Sequence, residues 1–242
     1  MHSTETTLIN VSDNLLITID KKSASLLVLL DVSKAFDSLN HNLLLEKLRK
    51  LGLKASAVFW FSSYLSSRYQ RVRYKDSVSE MLPLTNGVPQ GSILGPVLFT
   101  IYINDLISAI TYSQAAAYVD DSQLYKFSVS DSSIAMAAVN QDLRNISKWC
   151  ATNALLINPD KTKLVVVGSA QLIKRLPPIS LSLLGKTISP VPFAKDLGIY
   201  IDQCLTYDVH ITKTASSCMN QLVHIRRIKH LLDKKTLLLL IK

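Results

Sequence analysis

The sequence predicts an α+β fold. Three observations lead there. Apolar residues recur at helical spacing over several long windows, the strand-like runs are few and short, and no regular strand–helix–strand repeat of the kind that builds a doubly wound sheet is present. A hydrophobic fraction of 48% over 242 residues, with a mean hydropathy of +0.22, supplies a core for one large domain or for a domain with a small appendage.

Each element has a local cause. Residues 24–32, "ASLLVLLDV", form an apolar run of strand length ending at Asp31, consistent with a central strand whose acid emerges at its end. "HNLLLEKLRKLG" follows with Leu44, Leu48 and Leu51 at helical spacing, Asn40 as N-cap and Gly52 as terminator. A second helix is expected over 55–66 with Phe59, Trp60 and Leu65 as anchors. The stretch "SSRYQRVRYKD", 66–76, reads as a basic hairpin, and the Gly- and Pro-punctuated "LTNGVPQGSILGP" opens an apolar helix of more than three turns. In "AAAYVDDSQLYKF", 115–127, β-favouring residues flank an Asp-Asp-Ser step, so the segment reads as a hairpin with Asp120 and Asp121 at its tip. An amphipathic helix over 132–154 (Ile134, Val139, Leu143, Ile146, Trp149), a strand at 161–169, a short hairpin within 193–211 and a basic helical tail over 212–242 complete the chain.

Lys and Arg outnumber Asp and Glu by 27 to 18, a net charge of +9 that suits a polyanionic partner such as nucleic acid or an acidic membrane surface. In 66–76, Arg68, Arg71, Arg73 and Lys75 alternate with Tyr69, Val72 and Tyr74. That interleaving offers phosphate contacts with stacking surface, or an edge strand protected by charge. The apolar runs at 26–30 and 237–241 fall far short of the ~20 residues of a membrane span, and no basic-then-apolar leader opens the chain. The expectation is an intracellular protein of nucleus or cytoplasm, neither secreted nor membrane-bound. Three cysteines without metal-ligand spacing argue against a disulfide partner or a zinc site.

Two adjacent carboxylates repel each other and call for water or a cation. Together with Asp31, a strand-end acid far away in sequence, the tip acids could gather around hard cations that prefer oxygen ligands. Two such ions about 3.5–4 Å apart form the clamp used in phosphoryl transfer.

The surrounding words carry a resemblance. "LVLLDVSKAFDSLNH", "NGVPQGSILGPVLFTIYINDL", "YVDD", "LLINPDKTKLVVVGS" and "DLGIYIDQCLTYDVH" occur in the order and approximate spacing of reverse transcriptase palm motifs, and the chain resembles non-LTR (LINE-type, jockey-like) retrotransposon enzymes over nearly its whole length. The resemblance implies a palm, a small antiparallel sheet packed on helices, with partial fingers within 1–207 and the start of a helical thumb at 208–242. It implies an RNA-directed DNA polymerase that uses two Mg2+ ions, with Mn2+ a possible substitute, and whose partners are an RNA template, a DNA primer and deoxynucleoside triphosphates.

Residue by residue, the resemblance implies that Asp31 and Asp120 are the principal metal ligands, with Asp121 a weaker or supporting one and the Val32 carbonyl adding an oxygen. Ala35, Phe36, Gln90 and Gly91 would line the nucleotide site. Phe36 falls where the family has a ring that crowds a ribose 2′-hydroxyl, although a core Phe is the alternative. Gln90 and Gly91 lie in the "PQG" loop, where small residues let backbone approach the nucleotide. Ser92 is an N-cap candidate. Lys161 matches a lysine near the leaving pyrophosphate, or is a solvated lysine at a strand start. Leu197 and Gly198 match the primer-grip turn, or form an ordinary tight turn. Asp37 is expected to cap or orient the following helix, and Asp105 to be structural.

There are departures from the family pattern. The family has a finger region before the equivalent of "HSTET", with basic residues that grip the triphosphate, and an upstream endonuclease; the expectation is that both are missing here and that the thumb is partial. Val119 stands where alanine is frequent. The alternative function is therefore a catalytically inactive, nucleic-acid-binding remnant. Another two-metal phosphotransferase, such as a nuclease, explains the acids but not "PQGSILGP".

Overall fold

A computed structural model describes residues 4–33, 35–89, 91–118, 121–126, 132–233 and 236, and side chains at all of these except 35, 116–118 and 121–126. The elements run α1 (Thr4–Asp20), β1 (Ser25–Ser33), a 3-10 turn (Ala35–Asp37), α2 (His41–Lys50) and α3 (Ala55–Leu65). Four two-residue strands follow, β2 (Tyr69–Gln70), β3 (Arg73–Tyr74), β4 (Ser77–Val78) and β5 (Leu82–Pro83), then α4 (Leu94–Ile103), which continues as a 3-10 helix (Asn104–Ala109). Next come β6 (Gln114–Tyr118), β7 (Asp121–Lys126), α5 (Ser132–Thr152), β8 (Leu156–Ile157), β9 (Lys163–Val167) and the short α6 (Ala170–Ile173). Two hairpins, β10 (Leu181–Leu183) with β11 (Lys186–Ile188) and β12 (Phe193–Asp196) with β13 (Ile199–Asp202), lead into α7 (Asp208–Ile228).

The main sheet has the order β6-β7-β1-β8, with β9 also paired to β1, and every ladder is antiparallel. The apolar run that predicts β1 makes it the central strand, buried on both faces. On one face Leu26, Val28 and Leu30 join Leu164 and Val166 against Leu44 and Leu48 of α2, Leu98 and Phe99 of α4, and Val139, Leu143 and Ile146 of α5. On the other, Leu27 joins Val165 and Val167 beneath Val11 and Leu15 of α1 and Ala194 and Ile201 of the β12–β13 hairpin. Successive strand residues alternate faces, so Asp31 belongs to this second face, one step beyond Leu29.

Asn40 caps α2: its side-chain oxygen accepts from the Leu43 amide at 3.1 Å. Helix α3 corrects an expectation. Phe59 and Trp60 are 77% and 54% exposed, whereas Val58 and Leu65 are buried and Phe61 packs partly on the core. The buried stripe runs 58, 61, 65, the i, i+3, i+7 face, and the two largest rings fall off it. Leu51 and Ile134 are likewise exposed, and α4 is shorter than expected, tightening into its 3-10 segment after Ile103. Helix α1 has no counterpart among the sequence-based expectations.

Helices α2, α4 and α5 are joined by one polar hub around the buried Tyr102. Tyr102, fully buried, donates its hydroxyl to the Asn153 carbonyl at 2.5 Å. Lys47 Nζ donates to the Tyr102 carbonyl and to Asp105 Oδ1, both at 2.6 Å, and lies 4.8 Å from the Tyr102 ring centroid and 4.7 Å from that of Trp149. Burial lowers the Lys47 pKa from its ordinary value, and Asp105 pulls the other way. Asp105 is thus structural. Tyr102→Phe leaves the Asn153 carbonyl without that donor, and its expected cost is about 1–2 kcal/mol. Urea unfolding should show a lower midpoint at unchanged slope.

Candidate active site

Register assembles the site. β1 pairs with β7 from Leu26↔Lys126 to Asp31↔Asp121, so the backbone sets the strand-end acid directly opposite the second acid of the hairpin. On the other side, β1 pairs with β9 from Ser25↔Val167 to Leu29↔Lys163. Two residues further along each strand are Asp31 and Lys161. Their ladder has given way to β8, which pairs Val32↔Ile157 and Ser33↔Leu156, but the side chains still meet, with Lys161 Nζ 3.8 Å from Asp31 Oδ2. The Asp31 carbonyl accepts from the Asn158 amide at 2.9 Å. One central strand therefore brings an acid from one neighbour and a lysine from the other to Asp31.

Asp31 Oδ2 is enclosed and has no hydrogen-bond partner. The Lys161 ammonium is beyond hydrogen-bond range and its side chain is 67% exposed, so this ion pair contributes little to stability. A carboxylate oxygen withdrawn from water and lacking a donor is a group that a hard cation would satisfy. The residues present therefore fit a divalent ion. Asp120, Gln90 and the side chains of Ala35 and Asp121 lie outside the described residues. Among the described residues no three His, Cys, Asp or Glu side chains cluster.

Phe36 sits in the 3-10 turn just after Asp31, partly buried, with its ring centroid 5.0 Å from that of Phe99. The loop that precedes α4 docks on this turn: the Val88 amide donates to the Phe36 carbonyl at 3.0 Å and the Gly87 amide to the Leu39 carbonyl at 2.7 Å. His41 Nε2 lies 2.7 Å from the Gly87 carbonyl oxygen. Gly87 has φ +81°, and a Cβ there would fall 2.9 Å from both Asp37 Cα and the Phe36 carbonyl oxygen. Sequence reasoning missed Gly87 and His41; the signal was the Asn-Gly step just before "VPQG". Gly91 also has a positive φ, +78°, but a Cβ there would meet nothing within 4 Å. Ser92 caps the first turn, its Oγ accepting from the Gly95 amide at 3.0 Å.

A cleft of about 600 Å³ opens beside this loop, with His41, Arg68, Gln70 and Asn86 on its walls. Arg68 is exposed, donates to the Tyr64 carbonyl at 2.9 Å and lies 5.0 Å from the centre of that ring. Arg71 and Arg73 are exposed on or beside the short strands. Leu197 and Gly198, with φ of 44° and 95°, are the two central residues of the turn closed by Asp196↔Ile199, the two-positive-φ geometry of a tight hairpin.

The backbone register sets Asp121 opposite Asp31, and Lys161 lies near Asp31 from the other side. The family model described as "Reverse transcriptase (RNA-dependent DNA polymerase)" matches residues 1–218. The chain belongs to the reverse transcriptase family. Its relatives include the probable RNA-directed DNA polymerase from transposon BS of Drosophila melanogaster, 30% identical over 97% of this chain and 26% of that protein. Another is the RNA-directed DNA polymerase from mobile element jockey of the same species, 28% identical over 87% and 23%. The chain thus spans about a quarter of the length of these relatives. Among solved structures, telomerase of Candida tropicalis in complex with a fragment of telomeric RNA superimposes with a TM-score of 0.55 at 17% identity, over 83% of this chain and 32% of that one. That likeness supports the reverse transcriptase fold. No described helix is long and apolar enough to cross a membrane.

The two loop glycines separate backbone conformation from close contact. Gly91→Ala should cost only the ~1–2 kcal/mol of a left-handed L-residue, whereas Gly87→Ala adds a clash with backbone and should cost about 2–4 kcal/mol. Parallel urea titrations of the two variants check the difference.

Proposed function

We propose that this chain is the polymerising palm of an RNA-directed DNA polymerase from a non-LTR retrotransposon, adding deoxynucleotides to a DNA primer on an RNA template. The observation that carries this reading is the flanking of Asp31 by Asp121 and Lys161 through the two registers of β1. Residues 208–242, which begin with the exposed helix α7, are read as the start of the thumb, and the preceding 207 as palm with partial fingers. An enzyme of this kind works inside the cell, where template and nucleotides are found.

In the proposed reaction the primer 3′-oxygen attacks the α-phosphorus of the triphosphate, one P–O bond forms, one breaks, and pyrophosphate leaves. Asp31, Asp120 and Asp121, with the Val32 carbonyl, would hold Mg2+, which supplies charge stabilisation at the phosphoryl group and activates the hydroxyl. Lys161, solvated and unconstrained by a tight pair, can turn towards the leaving pyrophosphate and offset its charge or donate a proton. The Phe36 ring, held by Phe99 on one side, would present its remaining edge to the sugar. Gly91 would leave the loop backbone open to the nucleotide. The cleft walled by Arg68 and His41, together with Arg71 and Arg73, would take the template through its phosphates, and the Leu197–Gly198 turn would support the primer.

Primer extension on an RNA template with deoxynucleotides and Mg2+ tests the reading. Asp120→Asn should lower the rate by at least ~100-fold while primer–template binding stays nearly unchanged, because the basic surface lies elsewhere. Equal extension by Asp120→Asn would refute the mechanism, and template binding without extension by the unmutated chain would favour a binding remnant. Phe36→Ala should admit ribonucleotides more readily.

Binding should also weaken steeply with salt, by a log–log slope of about −0.9 per phosphate contact on duplex. Neutralising Arg71 and Arg73 together should reduce that slope; an unchanged slope would remove these residues from the interface.

A further inference from the structure

Asp142 lies in the middle of α5, fully buried, in phase with the apolar stripe of Ala135, Val139 and Ile146. An acid there needs partners, and its partners are backbone. Oδ1 accepts from the Thr111 amide at 2.9 Å and the Tyr112 amide at 3.2 Å. Oδ2 accepts from the Tyr112 amide at 3.1 Å and the Ser113 amide at 2.7 Å. Three successive N–H groups therefore converge on one carboxylate, the concave amide arrangement that binds anions.

These three amides immediately precede β6. Among the described residues β6 is an edge strand, paired to β7 alone, so no described strand holds its outer side. Its register with β7 runs from Gln114↔Tyr125 to Tyr118↔Asp121, and Asp121 is the residue opposite Asp31. The Asp142 cluster thus ties down the root of the hairpin whose other end carries the tip acids.

We propose that Asp142 is a positioning residue: by gathering the amides of 111–113 it fixes the root of the β6–β7 hairpin and thereby the backbone register that sets Asp121 opposite Asp31. The kinetic part of this proposal rests on the polymerase reading; the structural part does not. Asp142→Asn keeps size and one acceptor oxygen but turns an NH2 group towards amides that also donate. Leu143→Ala is the control, removing a fully buried neighbour on the same helix without touching the 111–113 amides.

The experiment measures amide hydrogen exchange and single-nucleotide extension on the full chain and both variants. For Asp142→Asn, exchange in 114–118 and 121–126 should rise at least about tenfold more than in β9, whereas Leu143→Ala should raise exchange in the hairpin and in β9 together. The extension rate constant should fall for Asp142→Asn by up to about 10²-fold, the scale of a misplacement near 1 Å. Nucleotide KM and primer–template affinity should hold. Equal loosening of hairpin and β9 by Asp142→Asn overturns the proposal, as does a KM effect with the rate constant intact. If the unmutated chain does not extend primers, the polymerase reading fails and the exchange pattern still decides this one. If Asp142→Asn does not fold, Thr111→Pro takes its place. It removes a single donor after Ile110, whose extended backbone accepts a following proline, and it should loosen the hairpin selectively but less. Uniform loosening would again overturn the proposal.

Discussion

The structure depends on the register of β1. A strand with one face in water is pinned by its own alternation, because a slip of one residue turns its apolar side outward. β1 lacks that safeguard: Leu26, Val28 and Leu30 feed one core and Leu27 the other, so a slipped strand would still bury apolar side chains. What fixes it is found at its ends. The β6–β7 hairpin fixes the partner on one side, and the Asn158 amide on the Asp31 carbonyl with the Val32↔Ile157 pair fixes the other. The acid that a slip would carry into the helix-packed face adds the penalty of a buried, unpaired charge. In the proposed reading, chemistry and folding thus use the same residue, Asp31, for different ends.

The acids of the chain divide by what their oxygens receive. Asp142 accepts from three amides. Asp202 accepts from the amides of Cys204, Thr206 and Tyr207 at 3.0, 3.1 and 2.7 Å, closing the turn that starts α7 while the Tyr207 hydroxyl reaches Ser12 of α1 at 3.1 Å. Both carboxylates are occupied and serve to satisfy loop backbone that would otherwise be buried without partners. Asp31 Oδ2 receives no donor. A saturated carboxylate has little capacity left for a cation, and an enclosed unsaturated one has it in excess. That contrast, visible only in three dimensions, sets the Asp31 carboxylate apart from those of Asp142 and Asp202.

Much of this was legible in the sequence because it is local. The apolar run ending in Asp31, the Asn40 cap, the Asp-Asp hairpin and the Ser92 turn each follow from a few adjacent residues, and the order of the motif words led to the family. The errors came where a through-space partner decides. Phe59 and Trp60 look like anchors by size, but the stripe that meets α2 runs through Val58 and Leu65. Asp142 is an acid in a helix, a place where acids are usually solvated. Its one clue was phase, an Asp where the stripe asks for an apolar residue. Lys161 was identified by motif, yet its nearness to Asp31 follows from the β1–β9 ladder carried two residues past its last pair.

The loop before α4 shows why motif glycines of similar appearance differ in what they do. Gly87 and Gly91 share a positive φ and lie four residues apart, so conformation alone gives each the same reason to be glycine. Only Gly87 also presses against other backbone, at Phe36 and Asp37, and the amide hydrogen bonds that dock the loop onto the Phe36 and Leu39 carbonyls need that approach. The turn follows directly on the strand that carries Asp31. Loop and turn are therefore joined through main chain, an approach that depends on the absence of a side chain at residue 87. A site assembled in this way tolerates change in the outward-facing side chains of the loop and little change in its backbone.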